Sequence, residues 1–287
     1  MKILNIGSIN KDFFYSVNDF VKPGETISSN KFHVKIGGKG LNQSVAISKA
    51  GKKVYHAGII NKDDKFLIDK LKKWNVNCDN ILFSDNPTGH AIIQVNKRGE
   101  NSIIIHAGAN YDLDKKFIAS TISKFESEDI LLIQNEVNSI GDIIDIGYEQ
   151  KMKIIFNPAP FKKEILKYDL NKISILILNY TEAKNLSGQN TPTKILDFLN
   201  KKYKETEIIL TLGNKGSIYS FNGNMIKIDA KKIKTIDSTG AGDTFIGYYV
   251  ASIANGLNTE ESLKRANKAA AISTTKLGAA ESIPEIN

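Results

Sequence analysis

Short apolar runs alternate with amphipathic segments along most of the chain. Runs rich in Ile, Leu and Val predict buried strands at Ile3–Ile6, Val54–Ile60, Ile130–Ile133, Lys153–Phe156, Ile175–Leu178 and Ile208–Thr211. Helical spacing of apolar residues is clearest over Leu41–Ala50, Phe66–Trp74, Ile140–Glu149, Thr193–Tyr203, Thr244–Ala254 and Glu260–Lys276. This alternation of strand and helix predicts a mostly parallel sheet covered on both faces.

A few segments alternate apolar and polar residues instead, which is typical of half-exposed antiparallel strands. They are Asp12–Val17, Lys31–Ile36, Gly89–Val95 and, after the turn signal "NKRGEN", Ser102–His106. We expect a small sheet, with strands near 12–18, 31–36 and 89–106, that projects from the main domain as a lid. The alternative is that these strands extend the edge of the main sheet. No Pro/Gly/Ser-rich linker breaks the chain, so we expect a single domain over residues 1–287.

Composition excludes several classes of protein. The net charge of +8 comes from 39 Lys+Arg against 31 Asp+Glu, and most of the excess is scattered lysine without interleaved aromatic residues. A solvated surface is therefore favoured over a nucleic-acid site. The lone Cys78 permits no internal disulfide, the N-terminal apolar run is too short for a signal peptide, and no run of ~18 apolar residues occurs. We expect a cytoplasmic protein without a membrane or nucleic-acid partner.

The stretch "TIDSTGAGDTF" carries the strongest chemical signal. Gly240, Ala241 and Gly242 precede an apolar helical run, so their amides can converge at a helix N-terminus and form an anion hole. Asp243 follows directly, and a carboxylate base beside an anion hole suits phosphoryl transfer to an alcohol. The same residues could form only a turn before a helix. Neither G-x-x-x-x-G-K-[ST] nor G-x-G-x-x-G occurs, which disfavours a P-loop protein and a dinucleotide-binding fold.

Two further stretches suit the recognition of hydroxyl groups. In "IGGKGLNQ", glycines allow close approach of the backbone, while Lys39 and Asn42 can donate hydrogen bonds. In "GSINKD", Asn10 and Asp12 follow the first strand and lie two residues apart, on one face of any continuing strand. Ligands of open α/β sheets bind at the carboxyl ends of strands. The "IGGKGLNQ" stretch could also be only a tight strand-to-helix turn.

The motifs taken together resemble those of the ribokinase-like family of carbohydrate and nucleoside kinases. In order they are "GSINKD", "PGET", "GGKGLNQ", "GENSIIIHAGAN", "NPAP", "NYTEA", "TLGNKG" and "DSTGAGDTF". The resemblance runs from Ile6 to about Pro284, and "GGKGLNQ", "IHAGAN" and "NPAP" narrow it to the ribokinase-like members. It implies a ribokinase-like three-layer α/β/α sandwich with a small β-sheet lid, which often forms the interface of a homodimer.

The resemblance also assigns roles to individual residues. Asp243 would be the general base beside the anion hole of Gly240, Ala241 and Gly242. Sugar hydroxyls would be bound by Asn10, Asp12, Gly38, Lys39, Asn42 and Glu136. ATP would be bound by Asn179, Glu182, Thr211, Leu212, Gly213, Asn214, Lys215, Gly216, Gly242 and Asn267, with Glu182 helping to hold Mg²⁺ through water. A K⁺ site would use Asp237, Thr239, Ser273, Lys276, Gly278 and Ser282. Asn179 and Glu182 could instead serve only as a helix cap.

The function implied is transfer of phosphate from ATP to O5 of D-ribose. One alternative is a related kinase that acts on deoxyribose, fructose or a nucleoside such as adenosine. Another is a sugar-binding regulator without catalysis, although such a protein has no need of the base Asp243. The histidines show no metal-ligand spacing and are interpreted as ordinary residues.

Overall fold

A computed structural model describes residues 1–286. Within that range, a nine-stranded sheet runs in the order β13-β12-β11-β10-β9-β8-β1-β4-β5. Its strands are β1 (Ile3–Ile6), β4 (Tyr55–Asn61), β5 (Asn77–Ser84), β8 (Ile130–Gln134), β9 (Lys153–Asn157), β10 (Ile175–Asn179), β11 (Glu207–Thr211), β12 (Ser217–Phe221) and β13 (Asn224–Ile228). The strands from β5 to β11 pair in parallel, and β12 and β13 add an antiparallel edge.

Helices cover both faces of this sheet. They are α1 (Lys39–Lys49), α2 (Phe66–Lys73), α3 (Lys115–Ile122), α4 (Ile140–Glu149), α5 (Tyr180–Ser187), α6 (Pro192–Lys202), α7 (Ala241–Ala254) and α8 (Thr259–Ser273). Short 3₁₀ turns lie at Gly108–Tyr111, Lys163–Lys167, Leu170–Lys172 and Gly213–Lys215. One apolar core packs α1, α2, α7 and α8 on one face, and a second packs α3 to α6 on the other. The architecture is therefore a three-layer α/β/α sandwich.

The packing of α1 against α7 positions the site. A Cβ on Gly247 would lie 2.3 Å from Cβ of Ala46 and 2.8 Å from the carbonyl oxygen of Gln43, so only glycine lets the two helices approach this closely. One turn earlier, side chains from the first turns of both helices are hydrogen-bonded to each other. The helices consequently run in the same direction, and both N-termini lie at the carboxyl edge of the sheet.

The alternating segments form a second, four-stranded sheet rather than an extension of the large sheet. Its order is β3-β2-β6-β7, with β2 (Asn10–Ser16), β3 (Lys31–Gly37), β6 (Gly89–Val95) and β7 (Asn101–His106). The strands β2 and β6 pair in parallel, while β2–β3 and β6–β7 are antiparallel. Because β2 follows β1 after only three residues and β3 leads directly into α1, this small sheet is joined to the same edge as the helix N-termini.

Every strand and helix that the hydrophobic pattern predicts is present, with ends within a few residues of those expected. The pattern missed β5, β12, β13 and α3, and it predicted α5 only as a possible helix cap. Cys78 is a free thiol buried in the core. Among residues 1–286, no helix combines the length and the apolar character needed to cross a lipid bilayer.

Candidate active site

Asp243 lies in the first turn of α7 and is only 7% exposed. Its Oδ2 accepts a hydrogen bond from Asn42 Nδ2 at 3.0 Å, and its Oδ1 accepts one from Gln43 Nε2 at 3.0 Å. A carboxylate needs such donors to remain charged when it is removed from water. The carboxylate of Asp243 therefore points into the protein, where each of its oxygen atoms accepts a hydrogen bond from a side chain of α1.

The backbone amides at the start of α7 differ in whether they are free to donate a hydrogen bond to an anion. Gly240 adopts a left-handed conformation, with φ of 72°, and caps α7 without a side-chain hydrogen bond. Ala241 donates its amide to the carbonyl oxygen of Ser238 at 3.2 Å, so in this conformation the amide takes part in a turn, and its place in the anion hole stays a prediction. The amides of Gly242 and Asp243 open the helix and have no intrahelical acceptor. The positive end of the α7 dipole adds to their attraction for an anion.

A cavity of about 210 Å³ adjoins this helix terminus. Seven residues of the predicted site contribute to its wall: Lys39, Asn179, Glu182, Thr211, Gly240, Gly242 and Asp243. They come from the ends of β10 and β11 and the starts of α1, α5 and α7. Residues that are up to 204 positions apart in the sequence therefore share one space, which is what a reaction between two substrates requires.

Lys39 supplies a fixed positive charge in this cavity. The carboxylate of Asp243 is the largest influence on its ammonium group and raises its pKa above the ordinary value, against the lowering effect of burial. Glu136 and Glu182 raise the same pKa further. Lys39 therefore stays protonated and lies in the combined field of carboxylates on both sides of the cavity.

The residues predicted to bind the sugar lie at the junction of the two sheets. Glu136 Oε2 accepts hydrogen bonds from Ser8 Oγ at 2.6 Å and from the amide of Lys39 at 2.8 Å, which rules out a loose surface acid. Asn10 is buried and accepts a hydrogen bond at Oδ1 from Asn110 Nδ2 at 2.8 Å. A Cβ on Gly38, which has φ of 95°, would lie 2.9 Å from the Ser8 carbonyl oxygen, so the backbone here is closely packed.

Asp12 is the most perturbed acid in this region. Burial, followed by the negative charges of Glu136 and Glu281, raises its pKa to about 6, and Lys35 only partly opposes them. A carboxyl group held among other acids favours a ligand that donates hydrogen bonds to it. Sugar hydroxyls are donors of this kind.

Asn179 and Glu182 form a complete capping box at the start of α5. Asn179 Oδ1 accepts from the Glu182 amide at 2.9 Å, and Glu182 accepts at Oε2 from the Asn179 amide at 3.0 Å. Glu182 is nevertheless only 8% exposed, and burial raises the pKa of its carboxyl group. The pair caps the helix and also faces the cavity, so the two interpretations of the sequence are compatible.

The "TLGNKG" stretch forms a tight loop between β11 and β12. Leu212 donates its amide to the Gly216 carbonyl oxygen at 2.8 Å, and the residues Gly213, Asn214 and Lys215 form the 3₁₀ turn inside. Asn267, on α8, donates to Ser217 Oγ at 2.7 Å, directly after this loop. Of these residues, Thr211 contributes to the wall of the cavity.

Three of the residues predicted to hold K⁺, Asp237, Thr239 and Gly278, are joined by hydrogen bonds next to the "GAGD" stretch. Asp237 Oδ1 accepts from the amide and hydroxyl of Thr239 at 2.9 and 2.6 Å, and its Oδ2 accepts from the Gly278 amide at 2.9 Å. The hydroxyls of Ser273 and Ser282 donate to carbonyl oxygens of their own turns, and Lys276 lies between them. Within residues 1–286, no group of three or more His, Cys, Asp or Glu side chains is arranged around a metal position.

Several residues at the site were not predicted. Asn157 lines the cavity, Gln43 contacts Asp243, and Asn110 holds Asn10. All three lie inside motifs that the sequence makes visible, "NPAP", "GGKGLNQ" and "IHAGAN", but the contacts of Gln43 with Asn157 and Asp243, and of Asn110 with Asn10, span 100 or more positions. Only the folded arrangement shows what they contact.

Comparisons with known proteins agree with this geometry. The family model described as "pfkB family carbohydrate kinase" matches residues 1–286. A ribokinase of Haemophilus influenzae is 35% identical over 97% of this chain and 94% of its own length. Two solved structures, a ribokinase of Cryptococcus neoformans in complex with ADP and one of Arabidopsis thaliana with ribose and ATP, superpose with TM-scores of 0.88 and 0.85. They are 32% and 28% identical, and each comparison covers 99% of this chain and 96% of the other.

The fold and site thus define a phosphotransferase with an α/β/α core and a small second sheet. The chain belongs to the pfkB family of carbohydrate kinases. The predicted fold class and the prediction of an enzyme that transfers a phosphoryl group are confirmed.

Proposed function

We propose that the protein transfers the γ-phosphoryl group of ATP to O5 of D-ribose, giving ribose 5-phosphate and ADP. One observation supports this most strongly: a buried carboxylate, Asp243, shares a cavity with a helix N-terminus and with Lys39. A base, free amides and a fixed cation within one cavity match the needs of phosphoryl transfer to an alcohol.

Asp243 is the general base of this proposal. It accepts the proton of the 5-hydroxyl group as the oxygen forms its bond to the γ-phosphorus atom and the bond to the β,γ-bridging oxygen breaks. The hydrogen bonds from Asn42 and Gln43 hold the carboxylate in one orientation, so that little reorganisation is needed when the proton moves.

The negative charge of the transferred group is met by the protein itself. The amides of Gly242 and Asp243 are unpaired donors at the positive end of α7. Lys39 remains protonated, because its pKa is raised by the surrounding carboxylates. Such fixed donors stabilise the transition state without reorienting during the reaction.

The residues that would bind the sugar lie where the small sheet joins the large sheet. Asp12, Asn10 and Glu136 present oxygen atoms that can accept hydrogen bonds from hydroxyl groups. The Oδ1 atom of Asn42 is buried without a hydrogen-bond partner within residues 1–286, so it can accept one more. A hydroxyl donor there would remove the cost of an unsatisfied buried acceptor.

Two cations complete the proposal. Mg²⁺ bound to ATP would neutralise the β- and γ-phosphates, and Glu182 would hold it through water; burial already disfavours the charge of this carboxylate, so a nearby cation suits it. K⁺ would lie in the turns around Asp237 and Gly278, where backbone carbonyls and a carboxylate offer the oxygen atoms that hard cations bind.

The proposed assembly is a homodimer formed through the small sheet. Large apolar side chains are exposed on one face of its strands, including Phe32 at 53%, Val34 at 44% and Ile104 at 64%. A patch of this kind on a soluble protein is typical of an interaction surface.

The proposed activity is tested by initial rates of ADP release with ribose, 2-deoxyribose, fructose and adenosine, each with and without KCl. We expect the highest kcat/KM with ribose, and a lower rate when choline chloride replaces KCl. A higher kcat/KM with another substrate would assign the enzyme to that substrate. Ribose binding by calorimetry without any turnover in Mg-ATP and KCl would instead favour a sugar-binding regulator.

A further inference from the structure

A chain of buried side-chain amides lies behind Asp243. Gln43 donates both hydrogens of Nε2, one to Asp243 Oδ1 at 3.0 Å and one to Asn157 Oδ1 at 3.3 Å. Gln134 donates both hydrogens of its own Nε2, one to Gln43 Oε1 at 2.8 Å and one to Asn5 Oδ1 at 2.9 Å. Gln43, Gln134 and Asn5 are all completely buried.

The direction of these hydrogen bonds is determined by the carboxylate. An ionised Asp243 only accepts hydrogen bonds, so Gln43 must present its NH₂ group and its Oε1 must face the other way. Gln134 must then donate to that oxygen. This orientation of Gln134 leaves its Oε1 atom buried without a hydrogen-bond partner within residues 1–286. If Gln134 were reversed, its oxygen would face the Oε1 of Gln43 and the Oδ1 of Asn5, both of which are acceptors.

The hydrogen bonds of Asn5, the other acceptor that Gln134 contacts, also disfavour the reversed orientation of Gln134. Asn5 Nδ2 donates to the Gly40 carbonyl oxygen and to Ser44 Oγ, both at 2.8 Å. The hydroxyl hydrogen of Ser44 is then left for Nδ1 of His56, at 2.8 Å. Burial lowers the pKa of His56 to about 4, so the ring is neutral near pH 7 and can accept this hydrogen. Asn5 is therefore held with its Oδ1 toward Gln134.

We propose that Gln43 and Gln134 are positioning residues of the reaction: Gln43 orients the carboxylate of Asp243, and Gln134 fixes which end of Gln43 faces it. Neither amide is needed to bind sugar or nucleotide, since both act from behind the base. This inference rests on the proposed role of Asp243 as general base. It explains why the protein tolerates an unpaired buried oxygen at Gln134, a feature that native proteins rarely retain without a use.

The test replaces each amide by methionine, which keeps the length and volume but removes the donors. We expect Gln43→Met to lower kcat about 10- to 100-fold, the range for a hydrogen bond to a charged group, and Gln134→Met to lower it by a smaller factor. The KM values for sugar and Mg-ATP should stay within about threefold of wild type, because a positioning residue acts on the chemical step.

Ser252→Ala is the matched control for loss of a buried hydrogen bond. Ser252 is buried on α7, the helix of Asp243, and donates to the Tyr248 carbonyl oxygen at 2.7 Å, away from the cavity. It should lower the unfolding midpoint in urea without changing kcat. If Gln43→Met does not fold, Gln134→Met alone carries the test, since it leaves the hydrogen bond to Asp243 in place.

A double-mutant cycle separates positioning from general loosening of the structure. In an Asp243→Asn background, Gln43→Met should lower the residual kcat by less than about twofold, because there is no carboxylate left to orient. Equal losses in both backgrounds, or a kcat within twofold of wild type in both folded single variants, would overturn the inference. If Asp243→Asn itself leaves kcat unchanged, the proposed role of Asp243 fails instead, so the two failures are distinguishable.

Discussion

Asn42 donates Nδ2 to Oδ2 of Asp243 across 3.0 Å, although 201 positions separate the two residues. Each lies in the first turn of its helix, and the contact recurs one turn later where Ala46 meets Gly247. The hydrogen bond thus links the start of α1, which carries Lys39, to the proposed base. The proposed sugar-binding residue Lys39 and the proposed base Asp243 consequently lie on one pair of packed helices.

The variant Gly242→Ala should change stability and activity in opposite directions, and so distinguishes a structural role of Gly242 from a role in binding the phosphate. A Cβ at Gly242 would meet no protein atom within 4 Å, and alanine favours helix by up to about 1 kcal/mol. The variant should therefore unfold at the same or a higher urea concentration. Because Gly242 lines the cavity, the added methyl group should obstruct the phosphate and lower kcat/KM for Mg-ATP at least about tenfold.

Gly141→Ala is the control for this prediction. Gly141 is likewise the second residue of a helix, α4, and its Cβ would lie at an ordinary 3.6 Å from Tyr168. Its stability should change in the same way, with unaltered kinetics. Full activity of Gly242→Ala would show that no phosphate approaches this amide.

Asp12→Asn should stabilise the ligand-free protein near pH 7.5. The pKa of Asp12 is raised from 3.8 to about 6, so between these values the folded state holds a proton that the unfolded chain has lost. Stability from this group is therefore fully present below pH 4 and is lost as the pH rises through 6. The difference corresponds to about 1–3 kcal/mol. Urea unfolding should show this gain at pH 7.5 and none at pH 4.

The exposed Asp19 supplies the control for charge removal. Asp19→Asn should leave the unfolding free energy within about 0.5 kcal/mol of wild type at both pH values. A loss of stability on Asp12→Asn at pH 7.5 would contradict the burial and charge repulsion that raise its pKa.

Sugar binding should weaken as the pH falls below about 6. An ionised Asp12 accepts hydrogen bonds from hydroxyl groups, whereas protonation in the free protein removes one acceptor. Calorimetry with ribose, without nucleotide, should give a Kd that rises toward tenfold per pH unit below 6. The Asp12→Asn variant should bind weakly at every pH. A wild-type Kd that is constant from pH 7.5 to 5 would exclude Asp12 from the sugar contacts.

The sequence predicted most of the large sheet because buried parallel strands appear as unbroken apolar runs. It missed β5, whose sequence "NCDNILFS" mixes polar and apolar residues at an edge of the sheet. It also missed α3, which has only 8 residues, and the antiparallel pair β12 and β13, which have 5 residues each, because such short segments contain too few repeats of a period to be distinguished.

For the site, the sequence revealed residues whose role follows from local chemistry. Asp243 stands out because the glycines beside it and the helix after it lie within a few positions. Gln134 does not, because its role depends on Gln43 and Asn5, which are 91 and 129 positions away. The Ala241 amide illustrates the same limit, since only the folded turn shows that Ser238 already uses it.

The central claim, that Asp243 is the general base, is tested most directly by kcat of Asp243→Asn at saturating ribose and Mg-ATP. Asn42 can rotate its amide to keep a hydrogen bond to the new side chain, so the variant should remain folded. We predict a kcat lower by ~10²-fold or more, as for loss of a general base. A kcat within threefold of wild type in the folded variant would contradict the account.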